Sequence, residues 1–294
     1  MYEAFFNLKE KPFKTSLDPR FFYLTAQHTE ALTNCQYRIQ ERVGPVYVHG
    51  DVGTGKTTIA RRLMQQLQED PKYIVAMVIE PNIKSANAFL RLVMKEFGVK
   101  TEKKYEDSLE NFGNFLNDKD EAGFIPVLLV DEAHLLRPDM LETVRFLLNF
   151  ETDSHKRLQI ILLGQNELAT NIESKKELKS RMYRNALSSL TRDDTEKMIQ
   201  FRFQIAGGGT HPFTPEAIDA IFRCSLGLPR LVCQLCDMSL LRAYTLQQKK
   251  IGADIIKMTS TQLRIDEEEK AMTEKEQKTN NKAKHGTKLN QQNL

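Results

Sequence analysis

The sequence has no apolar run of about 18 residues, so no membrane-spanning helix and no membrane partner are expected. Its start, MYEAFFNLKEKPFK, lacks the basic-then-apolar order of a secretory leader, and the expected location is the cytoplasm. Charge of neither sign dominates. With 42 basic residues against 39 acidic ones the net is +3, so any nucleic-acid contact has to come from a local patch. Cysteine is scarce, four in 294 residues. Cys233 and Cys236 form a C-x-x-C, but a zinc site needs a second ligand pair and only Cys224 is near. Leu231, Leu235, Met238 and Leu241 recur around them at helical spacing, so buried helix cysteines are expected instead.

What is present fits one large globular domain plus a smaller one. From residue 45 to about 206, apolar runs alternate with helical patterns, the mark of an α/β domain with a mainly parallel sheet. Strands are expected at 45–50, 73–80, 126–132, 158–165 and, more weakly, 185–190. Near-continuous apolar strands of this kind are buried on both faces. Helical patterns fill 56–69, 85–97, 105–118, 138–150 and 191–206. The GGG at 207–209 ends the alternation. TPEAIDAIFRCS then opens on a Thr cap with Pro at the first helical position, and helices near 229–246 and 252–264 complete a small helical domain. From Asp266 the chain is polar and expected to be a disordered tail. The divisions are 1–44, an N-terminal segment; 45–206, the α/β core; 207–264, a helical lid; and 265–294, the tail.

The stretch GDVGTGKT, Gly50 to Thr57, satisfies G-x-x-x-x-G-K-[ST] between a strand and a helix, as a phosphate-binding loop requires. A chance match in a chain this long is on the order of one in a hundred. The glycines Gly50, Gly53 and Gly55 let backbone N–H groups of Asp51, Val52 and Thr54 turn inward around phosphate oxygens, and the helix start at Thr57 and Thr58 adds a favourable field. Lys56 is expected to reach the outer phosphates of ATP, with Thr57 a ligand of Mg²⁺. In FIPVLLVDEAHLL the pair Asp131 and Glu132 ends a buried strand. Asp131 suits the Mg²⁺ shell, and Glu132 the orienting or deprotonation of water. DEAH as a helicase signature requires two tandem sheet domains, and no second sheet fits after residue 210. The lack of any N-K-x-D, which would read guanine, argues against a GTPase.

A P-loop sheet domain followed by a helical lid resembles the AAA+ superfamily. The resemblance implies a polar γ-phosphate sensor, Gln165 first and Asn166 second. It implies an arginine finger reaching a neighbouring subunit, Arg181 or Arg184, and a lid arginine in GLPR, Arg230. A finger supplied in trans makes an oligomer an expectation.

FFNLKEKPFKTSLDPRFFYLTAQHTEAL, LLVDEAHLL, LLNFETDSHKRLQIILLGQNEL and GLPRLVCQLCDMSLLRAY resemble the ExeA/GspA group of AAA+ ATPases. This group is related to the transposition ATPases TnsC and TniB, and the similarity covers about residues 1–246. It implies an N-terminal segment over the adenine pocket, with Tyr23 a contact or, equally, a core aromatic, and it favours Arg181 as the finger. ExeA continues into a transmembrane helix and a peptidoglycan-binding region and serves in assembling a secretion apparatus. Neither region is found in this sequence. The expectation is therefore a regulator of transposition that assembles as a ring or filament on double-stranded DNA and recruits a transposase, with a possible target-selection protein. The resemblance places its DNA contacts at Lys84, Lys100, Lys103 and Lys104. The alternatives are an ExeA-like ATPase for secretion and a P-loop switch in defence or signalling.

Overall fold

The structure, a computed structural model, describes residues 1–14 and 18–263. The expected tail from 265 lies outside the described residues. In chain order the first elements are α1 (Tyr2–Phe5), α2 (Ala26–Gln40), β1 (Val46–Gly50), α3 (Lys56–Gln68), β2 (Tyr73–Val78), α4 (Ala86–Glu96) and α5 (Tyr105–Glu121). There follow β3 (Ile125–Val130), α6 (Pro138–Leu147), β4 (Gln159–Gly164), α7 (Asn166–Glu173), α8 (Lys176–Arg181) and β5 (Tyr183–Leu187). Helices α9 (Arg192–Ile205), α10 (Pro215–Ser225), α11 (Pro229–Thr245) and α12 (Ala253–Leu263) complete the described residues.

Two compact units result. Leu24–Ser188 carries the sheet; the described residues of 1–23 and 189–263 form a helical unit. In the first, five parallel strands are ordered β2-β3-β4-β1-β5. The three central strands are buried along their whole length, as strands covered by helices on both faces must be. The edge strand β5 alternates instead, with Asn185 and Leu187 buried and Tyr183 and Arg184 exposed. It lies two residues earlier than the apolar pattern predicts, because an edge strand needs only one buried face. Phe89, Val93, Phe112, Leu128, Val130, Val144, Ile160 and Leu162 pack in one core cluster. Each contributes about 1.5–3 kcal/mol through removal of its side chain from water.

Three elements of this unit were not foreseen. Helix α2 starts at Thr25, whose hydroxyl accepts from the His28 N–H while His28 reaches back in a capping box. Helices α7 and α8 fill the stretch between β4 and β5.

The unit boundaries also fall elsewhere than at 44/45 and 206/207. Tyr2, Phe6, Phe13 and Phe21 share a core with Met198, Ile199 and Phe203 of α9 and with Ile218, Leu235 and Ile255 of the following helices. The N-terminal aromatics thus serve as core of the helical unit, Phe13 meeting Phe213 edge-on at 6.3 Å. Tyr2 donates a short hydrogen bond to Asp237. Cys233 and Cys236 are buried in α11, and burial pushes both thiols up. Among the described residues no helix is long and apolar enough to cross a membrane.

Candidate nucleotide site

Parallel order puts the ends of β1, β4 and β3 side by side, which is where ligands bind in open α/β sheets. The loop after β1 turns on Gly53 and Gly55, with φ of +86° and +101°, a region costly for residues with a Cβ. At Gly50 a Cβ would come within 2.3 Å of the Leu187 carbonyl oxygen, so only glycine lets β1 end this close to β5. Helix α3 begins after Gly55 with no side-chain cap and no acidic residue in its first turn. Its free N–H groups and dipole are left to an anion.

Lys56 is buried and its Nζ donates to the carbonyl oxygens of Gly50 at 2.8 Å and Asp51 at 2.7 Å. Burial lowers its pKa, while Glu132, Asp131 and Asp51 act in the opposite direction. Thr54, fully buried, donates to the Asp51 carbonyl at 2.9 Å. Val52 is exposed, and Thr57 and Thr58 are half-buried at the helix start.

One strand beyond β4, Asp131 is buried and its Oδ1 accepts from the Glu132 N–H at 3.0 Å. Glu132 sits in the left-handed region, φ +50°. For a residue with a long side chain this costs of order 1–3 kcal/mol, and such conformations cluster at active sites and switch regions. Its Oε2 lies 3.3 Å from Nδ1 of His134, outside hydrogen-bond alignment, and is buried with no hydrogen-bond partner. The open helix start, the buried lysine held only by carbonyls and this unpartnered carboxylate oxygen fit a nucleotide phosphate chain with a divalent cation and a water. Thr57 and Asp131 are the hard oxygen donors such a cation would take.

The structure separates the two sensor candidates. Gln165 is the residue before α7 and makes no side-chain cap; its backbone N–H lies 3.4 Å from Nδ1 of His134. It is Asn166 that touches the phosphate loop, donating from Nδ2 to Asp51 Oδ1 at 2.7 Å. The two arginines also differ. Arg181 ends α8, exposed, with Nη1 on Asn149 Oδ1 at 2.7 Å. Arg184 is engaged by His49 at 2.9 Å and Glu173 at 3.0 Å. Arg230 is exposed in the first turn of α11, and Tyr23 packs against Phe201 with ring centroids 5.8 Å apart, both within the helical unit.

Lys84, Lys100, Lys103 and Lys104 are exposed around α4 and the start of α5, Lys100 pairing with Glu102 at 3.2 Å. Arg91, Lys95 and Lys100 line an open groove there with Leu92 and Val99. Sequence reasoning passed over His28, His49 and His134. Each is an isolated histidine whose partner lies far away in sequence or in an unforeseen turn.

Residues 39–172 match the family model described as "AAA domain". Over 258 residues the chain is 36% identical to "General secretion pathway protein A" of Aeromonas hydrophila, covering 85% of this chain and 46% of that protein. The chain therefore spans about half the length of that relative. Among solved structures it is similar to the Aeropyrum pernix ORC2 protein in its ADPNP-ADP complexes, 15% identical, covering 86% of this chain and 71% of that one, TM-score 0.63. It is similar to Drosophila ORC bound to DNA, 19% identical, covering 84% and 63%, TM-score 0.62. The Thermotoga maritima RuvB Holliday junction branch migration motor is 18% identical, with 85% and 72% covered and a TM-score of 0.55. At these identities the solved structures speak for fold alone. Sheet order, phosphate loop and family match together assign the chain the AAA+ fold of a P-loop NTPase.

Proposed function

We propose that the chain binds and hydrolyses ATP with Mg²⁺, and that it is an ExeA/GspA-like ATPase whose turnover serves assembly of a secretion apparatus. The observation that carries this reading is the 36% identity to General secretion pathway protein A over 258 residues, which supports the secretion role over the transposition role expected from the sequence.

The loop N–H groups and Lys56 take the phosphates. Thr57 and Asp131 would hold a divalent cation, which would supply charge neutralisation beside the phosphates. Glu132 accepts the proton of the attacking water, its unpartnered Oε2 being the free acceptor. Gln165 senses the terminal phosphate, Tyr23 contacts adenine, and Arg230 contacts nucleotide in its own chain. Arg181 completes the site of a neighbouring copy, so activity requires an oligomer.

In cells, chromosomal Glu132→Gln is expected to leave the protein in place and abolish export of secreted enzymes. Normal export by that strain would sink the secretion role.

The exposed lysines around α4 and α5 favour a second reading, assembly on duplex DNA with a transposase. Contacts of this type are sequence-independent and strongly salt-sensitive. Negative-stain microscopy with duplex DNA and a non-hydrolysable ATP analogue, at low and moderate salt, tests it. DNA-dependent rings or filaments support it, and their absence at both salts removes it.

A further inference from the structure

Four side chains from separate strands and loops form one directional chain of hydrogen bonds that ends on the phosphate loop. Arg184 on β5 donates its Nε–H to Nε2 of His49 on β1 at 2.9 Å. His49 therefore carries its proton on Nδ1, which donates to Oδ1 of Asn166 at 2.9 Å. With that oxygen accepting, the Asn166 amide turns its NH₂ toward Asp51 and donates to Oδ1 at 2.7 Å. Each link fixes the next. The other tautomer of His49 would set donor against donor at Arg184, and a flipped Asn166 would set oxygen against carboxylate, so one assignment satisfies every atom.

The sheet explains the meeting. Strand β1 lies between β4 and β5, and His49 is level with Gly164 on one side and Ala186 on the other. Arg184 also reaches Glu173 with Nη1 at 3.0 Å. Helix α7 begins at Asn166 and ends at Glu173, so Arg184 ties its first residue through His49 and its last residue directly. At the far end of the relay Asp51 is the residue that organises the loop. Its carbonyl accepts from Lys56 Nζ at 2.7 Å and from the Thr54 hydroxyl at 2.9 Å.

We infer that Arg184 and His49 are positioning residues for the nucleotide site of their own chain, coupling the exposed edge strand β5 to the phosphate loop through Asn166 and Asp51. Arg184 thus acts in cis, which favours Arg181, exposed and held by Asn149 at 2.7 Å, as the arginine that reaches a neighbouring copy. The inference rests on the reading of residues 50–57 as a nucleotide site.

The test is the affinity for a fluorescent, non-hydrolysable ATP analogue with Mg²⁺, at dilutions where sedimentation shows single copies. Arg184→Ala is expected to weaken binding about three- to tenfold, the worth of one hydrogen bond, and Asn166→Ala to do the same. The double variant should be no worse than the poorer single, because both cut one relay. Arg184→Lys keeps charge and bulk but offers no Nε–H in place, and it should show the same loss if the alanine variant does not fold. Unchanged affinity in Arg184→Lys, additive losses in the double variant, or a defect seen only in turnover of the assembled state would overturn the inference. Wild-type protein that binds no analogue would defeat the nucleotide reading and the inference together. Wild-type binding with unaffected Arg184 variants defeats the inference alone.

Discussion

The imidazole of His28 holds the phosphate loop from behind: its Nε2 lies 2.8 Å from the carbonyl oxygen of Thr54. Its Nδ1 accepts from Thr25, whose hydroxyl is 2.7 Å and whose N–H is 3.3 Å away, so Nε2 carries the proton and donates. The ring is only 1% exposed. Helix α2 and the loop are thereby fixed to each other. His28→Ala leaves a buried carbonyl unsatisfied and should lower stability by about 1–3 kcal/mol. Urea denaturation measures it, and an unchanged midpoint with an unchanged slope would mean the tie carries no stability.

Lys56 and Glu132 should separate binding from chemistry. Lys56→Ala removes the buried cation proposed to face the phosphates and should abolish nucleotide binding. Glu132→Gln keeps size and polarity and should bind normally while turnover falls about 10²–10⁴-fold, the usual share of a general base. Calorimetric binding and phosphate release on the same preparations read the two effects. Normal turnover in Glu132→Gln would move the water-activating role elsewhere.

Arg181 should matter only between copies. In the assembled state Arg181→Ala is expected to reduce hydrolysis by about 10³–10⁵-fold, as loss of an arginine finger does. At dilutions that leave single copies the variant and the wild type should be equal. Mixing the variant with Glu132→Gln should restore part of the activity in mixed assemblies, since each supplies what the other lacks. Full activity of Arg181→Ala alone in the assembled state would exclude the assignment.

Asp120 predicts how stability responds to acid. Its carboxylate takes Arg42 at 2.6 Å and His155 at 2.9 Å, with Arg157 at 3.5 Å. Burial pushes this carboxyl up, but the hydrogen bonds from Arg42 and His155 outweigh it and hold it below the ordinary range. A carboxyl depressed on folding stabilises above its unfolded pKa of about 3.9, and the gain is lost as pH falls through the lower folded value. Asp120→Asn should cost roughly 1.5–3 kcal/mol at neutral pH, as for a lost charged hydrogen bond. The gap to wild type should narrow below about pH 4. Denaturation curves across that range check both, and a gap independent of pH would refute the electrostatic account.

Much of the site is legible in sequence because it is local. Gly50 to Thr57 is one loop, and eight consecutive residues settle its shape through glycine conformations and a helix start. Asp131 and Glu132 are legible for the same reason, at the end of an apolar run that only a buried strand accommodates. Helix α2 is harder to read because its buried stripe, Ala31, Leu32, Cys35 and Ile39, is narrow and holds small residues. Tyr2, Phe6, Phe13 and Phe21 are plainly hydrophobic, but nothing in their spacing says that α9 to α12 are what they cover.

By itself, then, the sequence determined the fold class and the phosphate loop, since periodicity and glycine spacing act over a few residues. Only the tertiary structure decided that Asn166 rather than Gln165 touches the loop, that Arg184 is engaged within its own chain, and that His28 reaches the Thr54 carbonyl and His49 reaches Asn166. These residues are between 26 and 135 positions from their partners. Hydrogen bonds act over about 3 Å, and it is the order of parallel strands, with β1 between β4 and β5, that brings such distant positions within that reach.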